Sequence, residues 1–552
     1  MEHHTPEKLH PNVPSLAKEC QEGKLSRREF LTYATSLGVS SAAAYGLLGL
    51  APKPAFAQDA EPQMGGTLRI QQSVRELTDA RVANWTEIGD HLRSMFDYMV
   101  ILNNDGSITP SLLESWELNE DATEYLLTAR SDIIWSNGEP FTSEHVAWII
   151  GYWADGTVDG NSMSGRLVAL TDPETKKIRP DAVKIVDDRK VRLKLSHPDI
   201  SLIATMGDYP AAVVHPSFDP NDIVNSVCTG PYRITSHEVG IKSVMQKTDS
   251  WWGTDVLGGP YLDRVEYIDY GTDPVAWVSA AEAEEVDMLY ESVGEFIEIL
   301  DGIGWNRSEV VTGATIVIRP NQLAEVDGMK PYEDVRVRRA LALAVDNNAV
   351  LELGYNGLGT KANNHHVAPV HPEYADVPAT EHDPEEARRL MEEAGMSDFT
   401  FELVSIDDDW RKNTTDVVGA QLRDAGFNVK RTIIPGASFW NDWNSYPLSS
   451  TNWAHRPLGV QVLSLAYKSG ESWNETGFAN DEFDALLAQA MSIGDADTRR
   501  EVMAKIQTLL QEEGVIIQPY WRSLYNHARP GVVNSQMHIS QQIHLNRLGL
   551  SA

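Results

Sequence analysis

Cysteine is almost absent from this 552-residue chain, which holds only Cys20 and Cys228. Cys20 belongs to an N-terminal segment treated below, so the body keeps a single thiol, forms no intrachain disulfide and has to be held together by burial. Cys228 lies in Val227-Cys-Thr-Gly-Pro231 with no histidine close in sequence, and reads as a small core residue rather than a nucleophile. Positive charge is in deficit, with 46 Lys and Arg against 80 Asp and Glu and a formal net charge of −34. Such a surface repels nucleic acid and anionic headgroups, which excludes both as partners. The carboxylates are dispersed rather than blocked, as in a solvated coat, so they say nothing about the charge of a ligand. Enzyme motifs are missing: there is no nucleophile elbow, no Walker loop, no His-Glu-x-x-His pair and no dinucleotide-type glycine turn. Gly160-Asn-Ser-Met-Ser-Gly165 has the residue types of an elbow at the wrong spacing and reads as a surface loop. No catalytic residue and no cofactor is expected, and a hydrolase is only a minor alternative.

Long apolar runs are equally scarce, and the one that exists is N-terminal. Ser26-Arg27-Arg28-Glu29-Phe30-Leu31 precedes a stretch to Ala51 that is diluted by Ala, Gly and Ser, and Ala55-Phe56-Ala57 follows. A basic region, a weakly apolar region and a small-residue cleavage site make residues 1–57 an expected signal peptide. The Arg-Arg-x-Phe-Leu core resembles the twin-arginine export motif, whose pathway carries folded proteins. The exported product would start near Gln58 with a formal charge of about −35. No later segment approaches the ~20 uninterrupted apolar residues of a membrane span, so no direct membrane insertion is expected after cleavage.

The remaining length, about 495 residues, is too great for one core and suits two or three domains. Gly65-Gly66-Thr67-Leu68-Arg69-Ile70 reads as a glycine turn entering a strand, and Pro110 to Trp116 as a helix followed by a strand. Alternation in Tyr125 to Arg130 and Val191 to Leu195 marks half-buried strands, and Thr142-Ser143-Glu144-His145 opens an amphipathic helix. Beyond Ile316-Val-Ile318 the texture becomes helical. Asp334 to Val345, Asp383 to Met391 and Thr415 to Arg423 carry apolar residues three or four apart, alternating with the strands Phe401–Val404 and Val429–Ile434. A last helix from Thr498 to Glu512 leads into Val515 to Tyr520. The second half is therefore an α/β lobe of βα units, and there is no internal repeat or low-complexity tail.

Several of these segments together resemble the family 5 extracellular solute-binding proteins of ABC importers, the group of dipeptide-, oligopeptide-, nickel- and opine-binding proteins. The likeness spans the mature chain. It is carried, in the family's order, by Gly65 to Leu68, Pro110 to Trp116, Trp135-Ser-Asn-Gly-Glu-Pro-Phe-Thr142, Thr229-Gly-Pro-Tyr-Arg233, Gly259 to Val265, Asp334 to Ala340, Phe483 to Leu487, and Arg499-Arg500 with Ile517 to Tyr520. The resemblance implies an α/β, two-lobed fold of the periplasmic-binding-protein type II-like class, with an extra sheet subdomain in lobe I and a ligand cleft between the lobes. Lobe I would comprise residues 58–316 and 516–552, with the inserted subdomain at about 95–228, and lobe II residues 317–515. The chain would cross near Val317 and near Val515, and closure around a ligand would occur there. The implied activity is capture of a small polar solute, a short peptide or an amino-acid-derived, carboxylate-bearing compound, and delivery to an ABC permease in the inner membrane. The protein would be a periplasmic monomer. A ligand sensor read by a membrane receptor uses the same closure and is the alternative.

The cleft is where the sequence departs from the peptide-binding pattern. Peptide-binding members typically carry a Trp followed by Gly and Asp, the acid pairing with the peptide's amino terminus, whereas Asn452-Trp453-Ala454-His455-Arg456-Pro457-Leu458-Gly459 has a His-Arg pair there. A guanidinium cannot hold an ammonium group but grips a carboxylate bidentately. Arg456 is thus the expected anchor of an acidic ligand group, lined by Trp453 and His455, with a structural salt bridge as its competing role. Arg75, Trp85 and His365 are further expected ligand contacts, because they sit on loops at strand ends. Asp79, Asn84 and the remainder of Asn363-Asn364-His365-His366 are weaker candidates. His365, His366 and His371 form no expected metal site, since adjacent histidines do not easily face one ion.

Overall fold

The structure is a computed structural model describing residues 9–50, 61–83, 85–119, 122–493 and 496–551. One eleven-stranded mixed sheet runs through both halves of the molecule. From one edge it passes through Asn428–Ile434, Thr400–Ile406, Leu448–Trp453 and the long strand Asn306–Pro320. It continues through Tyr520–Ala528, Met288–Leu289, Thr67–Gln71, Arg264–Ile268, Lys242–Lys247 and Tyr232–Glu238, while Gly359–Lys361 pairs with Tyr520–Ala528 beside this path.

Two neighbouring antiparallel strands carry the chain between the halves. The first part of Asn306–Pro320 pairs with the returning strand from Asn306 opposite Ala528 to Val311 opposite Ser523. Register then shifts between Val311 and Thr315, and residues Thr315 to Pro320 pair with Trp453 to Leu448 on the other side. Residues 312–314 thus leave the ladder, and their polar groups find other partners, as buried backbone must. The Thr312 hydroxyl donates to Arg522 O at 2.7 Å, Ala314 N–H donates to Thr312 Oγ1 at 2.9 Å, and Gly313 N–H donates to His455 Nδ1 at 3.0 Å. We take this irregular stretch as the seam between the first lobe (chain up to it and after Tyr520) and the second.

In the second lobe the helices Val335–Leu343, Asn347–Tyr355, Pro384–Glu393 and Asp409–Asp424 bury their apolar faces with Phe401, Leu403 and Phe427 in one cluster. Asp334, Asp346, Asp383 and Asp408 cap their N-termini by accepting backbone N–H bonds. The last of these helices begins six residues before the Thr415 start expected from the sequence, because Asp408 is the residue placed to cap it. In the first lobe an inserted unit falls between the helix Thr86–Met95 and the strand Tyr232–Glu238. Its antiparallel sheet has the order Leu113–Leu118, Glu124–Ala129, Lys190–Lys194, Val183–Ile185, and the helix Ser143–Trp153 buries Val146, Ile149, Ile150 and Trp153.

Two local expectations are corrected. Pro110 to Trp116 holds no helix: strand Ile108–Pro110 is followed by a bend at Ser111-Leu112 and then strand Leu113–Leu118, since Leu112 and Leu113 are both fully buried and the latter strand pairs with Glu124–Ala129. Gly160 to Gly165 is not a surface loop, because Asn161 caps a short helix Ser162–Arg166 whose Ser162 and Met163 are interior. Cys228 is fully buried, and burial pushes its thiol up to about 11. The N-terminal segment forms three short helices, Val13–Gln21, Arg27–Ser36 and Ser41–Leu47. The expected cleavage site Ala55-Phe56-Ala57 and Gln58 lie outside the described residues, and no described helix is long and apolar enough to cross a membrane.

Candidate functional site

Two adjoining cavities lie where the lobes face each other, and they share Trp85, Thr86, Asn452 and Gln541. The first, open to solvent, spans about 820 Å³ and is lined by charge: Arg75, Glu87, Glu291, Asp408, Asp409 and Arg411. The second, also open to solvent, spans about 590 Å³ and is lined by rings: Trp85, Tyr209, Trp440, Trp443, Trp453 and Trp473, with Arg456.

In the charged chamber most groups are paired. Arg75, on the loop after strand Thr67–Gln71, lies with its guanidinium 3.5 Å from the centre of the Trp85 ring and 3.7 Å from Glu87. Trp85 is held in extended backbone just before the helix Thr86–Met95. Arg411 pairs with Asp408 and donates to Asn452 Oδ1 at 2.8 Å, and Arg522 pairs with Glu291. Burial, reinforced by the Arg522 guanidinium, pushes Arg411 down to about 10. Asp409 is the exception. It takes part in no ion pair among the described residues, accepts a bond from Asn413 Nδ2 at 3.1 Å, and is raised by burial above the usual carboxylate range. Gln72 and Arg75 also line this chamber, with Gln72 Oε1 and Arg75 Nε buried and without a hydrogen-bond partner among the described residues.

In the aromatic chamber five indoles form a chain of ring contacts, three edge-on and one, Trp440–Trp443, tilted. Centroids lie 4.5 Å apart for Trp85–Trp440, 6.3 Å for Trp440–Trp443, 6.4 Å for Trp443–Trp473 and 5.8 Å for Trp473–Trp453. Trp453 is fixed from behind by donating its indole N–H to Glu475 Oε1 at 2.8 Å, and the other Glu475 oxygen accepts from Arg319 Nε at 2.8 Å. Trp440 Nε1 has no hydrogen-bond partner among the described residues, a buried donor on a residue that lines the cavity. Arg456 is 3 % exposed, with Nε 3.0 Å from Asp208 Oδ2 in a charge contact that lacks hydrogen-bond geometry. Asp208 also accepts from Arg166 Nη2 at 3.1 Å. Burial disfavours a charged Asp208, yet Arg456 and Arg166 outweigh it and hold its pKa below the ordinary value. Two guanidiniums against one carboxylate leave a local surplus of positive charge.

The structure therefore brings Arg75, Trp85, Trp453 and Arg456 to the cleft, and not His365 or His455. His455 accepts from Gly313 behind the seam and stacks on His371 at 5.6 Å, while His365 is 1 % exposed and accepts from Val367 N–H through Nδ1. Burial pushes His365 down to about 3 and His455 well below its usual value, so both rings are neutral core groups. The correction has a simple cause: the chain from Asn364 to Ala368 runs through the interior instead of over the surface. Asp79 pairs with Arg81 at 2.6 Å and lines neither chamber, and Asn84 lies outside the described residues. Trp440, Trp443, Trp473, Tyr209 and Asp409 went unread in the sequence. Only the Trp440-Asn-Asp-Trp443 spacing offered a hint of paired rings.

Glu139, His145 and His215, none of which lines either chamber, place one ligand-type atom each within 4.8 Å of the others. Both ring Nδ1 atoms accept backbone N–H bonds, from Thr142 at 3.2 Å and Ser217 at 3.1 Å, so each Nε2 carries the proton and that of His215 donates to Glu139 at 2.9 Å. This is a hydrogen-bonded cluster whose tautomers oppose metal ligation through Nε2.

Two lobes joined by adjacent strands around a cleft with unpartnered polar atoms define a binding protein that closes on a small solute. The sequence model of the bacterial extracellular solute-binding proteins, family 5 Middle, matches residues 107–474, and the chain belongs to this family. It is similar to the dipeptide-binding protein DppE of Bacillus subtilis, 24 % identical over 486 residues that cover 80 % of this chain and 84 % of the relative. The periplasmic oligopeptide-binding protein OppA of Salmonella typhimurium is 23 % identical over 475 residues, 78 % of this chain and 82 % of that one. Among solved structures, that of AgaA from A. tumefaciens R10 in complex with agropinic acid matches with a TM-score of 0.77 at 21 % identity, over 88 % of this chain and 99 % of the other. The protein is accordingly the substrate-binding component of an ABC importer, in a family whose members bind solutes rather than transform them.

Proposed function

We propose that the cleft takes a small zwitterionic amino-acid derivative, a short peptide or an amino-acid conjugate, and that the chain delivers it to an inner-membrane ABC permease after export by the twin-arginine route. One observation carries the ligand class: the adjoining chambers hold opposite unbalanced charges, Asp409 in one and the Arg456–Arg166 pair over Asp208 in the other, with indoles between them. An ammonium group suits Asp409, a carboxylate suits Arg456, and a flat or apolar middle suits the rings. The oligopeptide-binding and agropinic-acid-bound relatives support this class from both sides.

The test is calorimetric titration and thermal unfolding of the chain against short peptides, amino-acid conjugates and uncharged sugars. A ligand at ~100 times its Kd stabilises the fold by about 2.7 kcal/mol. Asp409→Asn and Arg456→Lys are each expected to weaken the zwitterion about tenfold, some 1.4 kcal/mol. Lysine keeps a charge opposite Asp208 but loses the planar fork. Binding confined to uncharged sugars, or unaffected by both substitutions, refutes the reading. Replacing Arg27 and Arg28 by lysine is expected to abolish arrival in the periplasm.

A further inference from the structure

The segment that the sequence marks as an export leader is built into the fold. Phe30, Leu31 and Ala34 of the helix Arg27–Ser36 are fully buried in the main core, and Tyr33 is 2 % exposed. Polar contacts fix the segment on the first lobe. The Arg28 guanidinium donates to Asn104 O at 2.9 Å, Ile108 N–H donates to Thr35 Oγ1 at 2.9 Å, and the Tyr45 hydroxyl donates to Asp105 Oδ2 at 2.7 Å. The first lobe is shaped to receive it. Gly106, at φ +84°, has no room for a Cβ beside Thr32 and Arg28, and a Cβ on the leader's Gly38 would come 2.6 Å from Trp116 O. The same helix also reaches the second lobe, where Glu29 pairs with Arg500 at 2.8 Å and Arg499 lies 4.9 Å from the centre of the Tyr33 ring.

We infer that residues 9–50 act as an inter-lobe strap in the leader-bearing chain: docked, the strap ties the lobes together through Glu29 and Arg500 and withholds the apolar half of its own export motif. The export part of this inference rests on the twin-arginine reading above. Arg27 is exposed, but Arg28 is engaged and Phe30 and Leu31 are interior, so any receptor that reads the whole motif has to act on the undocked state. Undocking breaks contacts to both lobes, so motif exposure and lobe freedom change together.

Hydrogen–deuterium exchange on the full chain tests this. The amides of residues 30–37 are expected to be protected at least a hundredfold over the free-chain rate, roughly as core helices are. Arg500 also pairs with the exposed Asp497 of its own helix at 2.7 Å, so Arg500→Glu sets a carboxylate against Asp497 within the helix and against Glu29 across to the strap. The second is expected to raise exchange in residues 27–36 about tenfold and also at the seam, residues 312–315. Adding Glu29→Gln, which preserves the capping box with Ser26, is expected to return both regions to within about threefold of the parent. Leader amides that exchange at the free-chain rate overturn the strap, and a raised leader rate with an unchanged seam overturns its tie between the lobes. The lysine-pair export assay separates the two readings. Lost export with a freely exchanging leader keeps the export route and removes the strap, whereas unaffected export with a protected leader keeps the strap and removes its export role.

Discussion

Glutamine in place of Glu475 tests how the aromatic chamber is held. The Arg319 guanidinium is 0 % exposed and pairs with this carboxylate, which also accepts from the Thr451 hydroxyl at 2.6 Å and Trp453 Nε1 at 2.8 Å. Removing the charge leaves a buried cation uncompensated, a loss of about 3–5 kcal/mol when one member of such a pair is deleted. The two remaining bonds fall from charge-assisted to neutral, about 1 kcal/mol each at most. Urea unfolding of the ligand-free chain, followed by tryptophan fluorescence, is the assay, with the two lobes allowed separate transitions. Glu475→Gln is expected to lower the stability of the transition that carries the cleft tryptophans by at least 3 kcal/mol, and ligand affinity should fall as Trp453 loses its fixed orientation. Combining it with Arg319→Met removes both charges and should recover half of the loss or more, because the penalty is the unpaired ion rather than the missing bond. A change below about 0.5 kcal/mol for Glu475→Gln, or a double variant as unstable as the sum of the singles, refutes the reasoning.

Three further outcomes follow from buried groups elsewhere. Burial pushes His91 down to about 3, against ~6.5 in an unfolded chain, so it contributes no pH dependence above about pH 6.5 and costs stability as pH falls from there toward 3, at up to ~1.4 kcal/mol per unit. His91→Phe gives up the bond to Glu87 O but removes that slope, so the stability gap from the parent should narrow between pH 6.5 and 4; a constant gap contradicts the assignment. Gly313→Ala puts a Cβ 2.8 Å from His371 Nε2 and 3.0 Å from His455 Nδ1, and a loss of about 1–3 kcal/mol is expected in the same urea assay. Of the two thiols, a native full chain should titrate only Cys20 with an aromatic disulfide, because Cys228 is fully buried and its thiol is pushed up to about 11; two fast thiols would contradict the packing.

Local and periodic features were legible in the sequence, and long-range ones were not. Helices with an Asp cap and a three-to-four repeat, such as Val335–Leu343 and Pro384–Glu393, appear as read because cap and pattern are contained in a dozen residues. Pro110 to Trp116 misled because Leu112 and Leu113 fit a helical face as well as a strand, and partners over ten residues away decided between them. The same limit explains the cleft. Trp85 and Trp453 were readable as single residues beside predicted strand ends, but the ring chain that joins them runs through Trp440, Trp443 and Trp473, which the folding of the second lobe brings together and which reach Trp85 only where the lobes face each other.

Arg456 shows what such a limit costs and what it leaves. Its residue type announced a demand for an anion. The sequence could not show that Asp208, 248 positions earlier in the other lobe, already meets part of that demand. Because Asp208 also serves Arg166 from its own lobe, separating the lobes leaves Asp208 paired and frees Arg456. A ligand carboxylate arriving at an open cleft would therefore meet an available guanidinium, and closure would bring Asp208 up to it as a competitor. Asp208→Asn should then separate the two effects. Affinity for a carboxylate ligand rises if competition dominates and falls if Arg456 needs Asp208 to hold it in place, whereas unchanged affinity would mean that Arg456 does not touch the ligand.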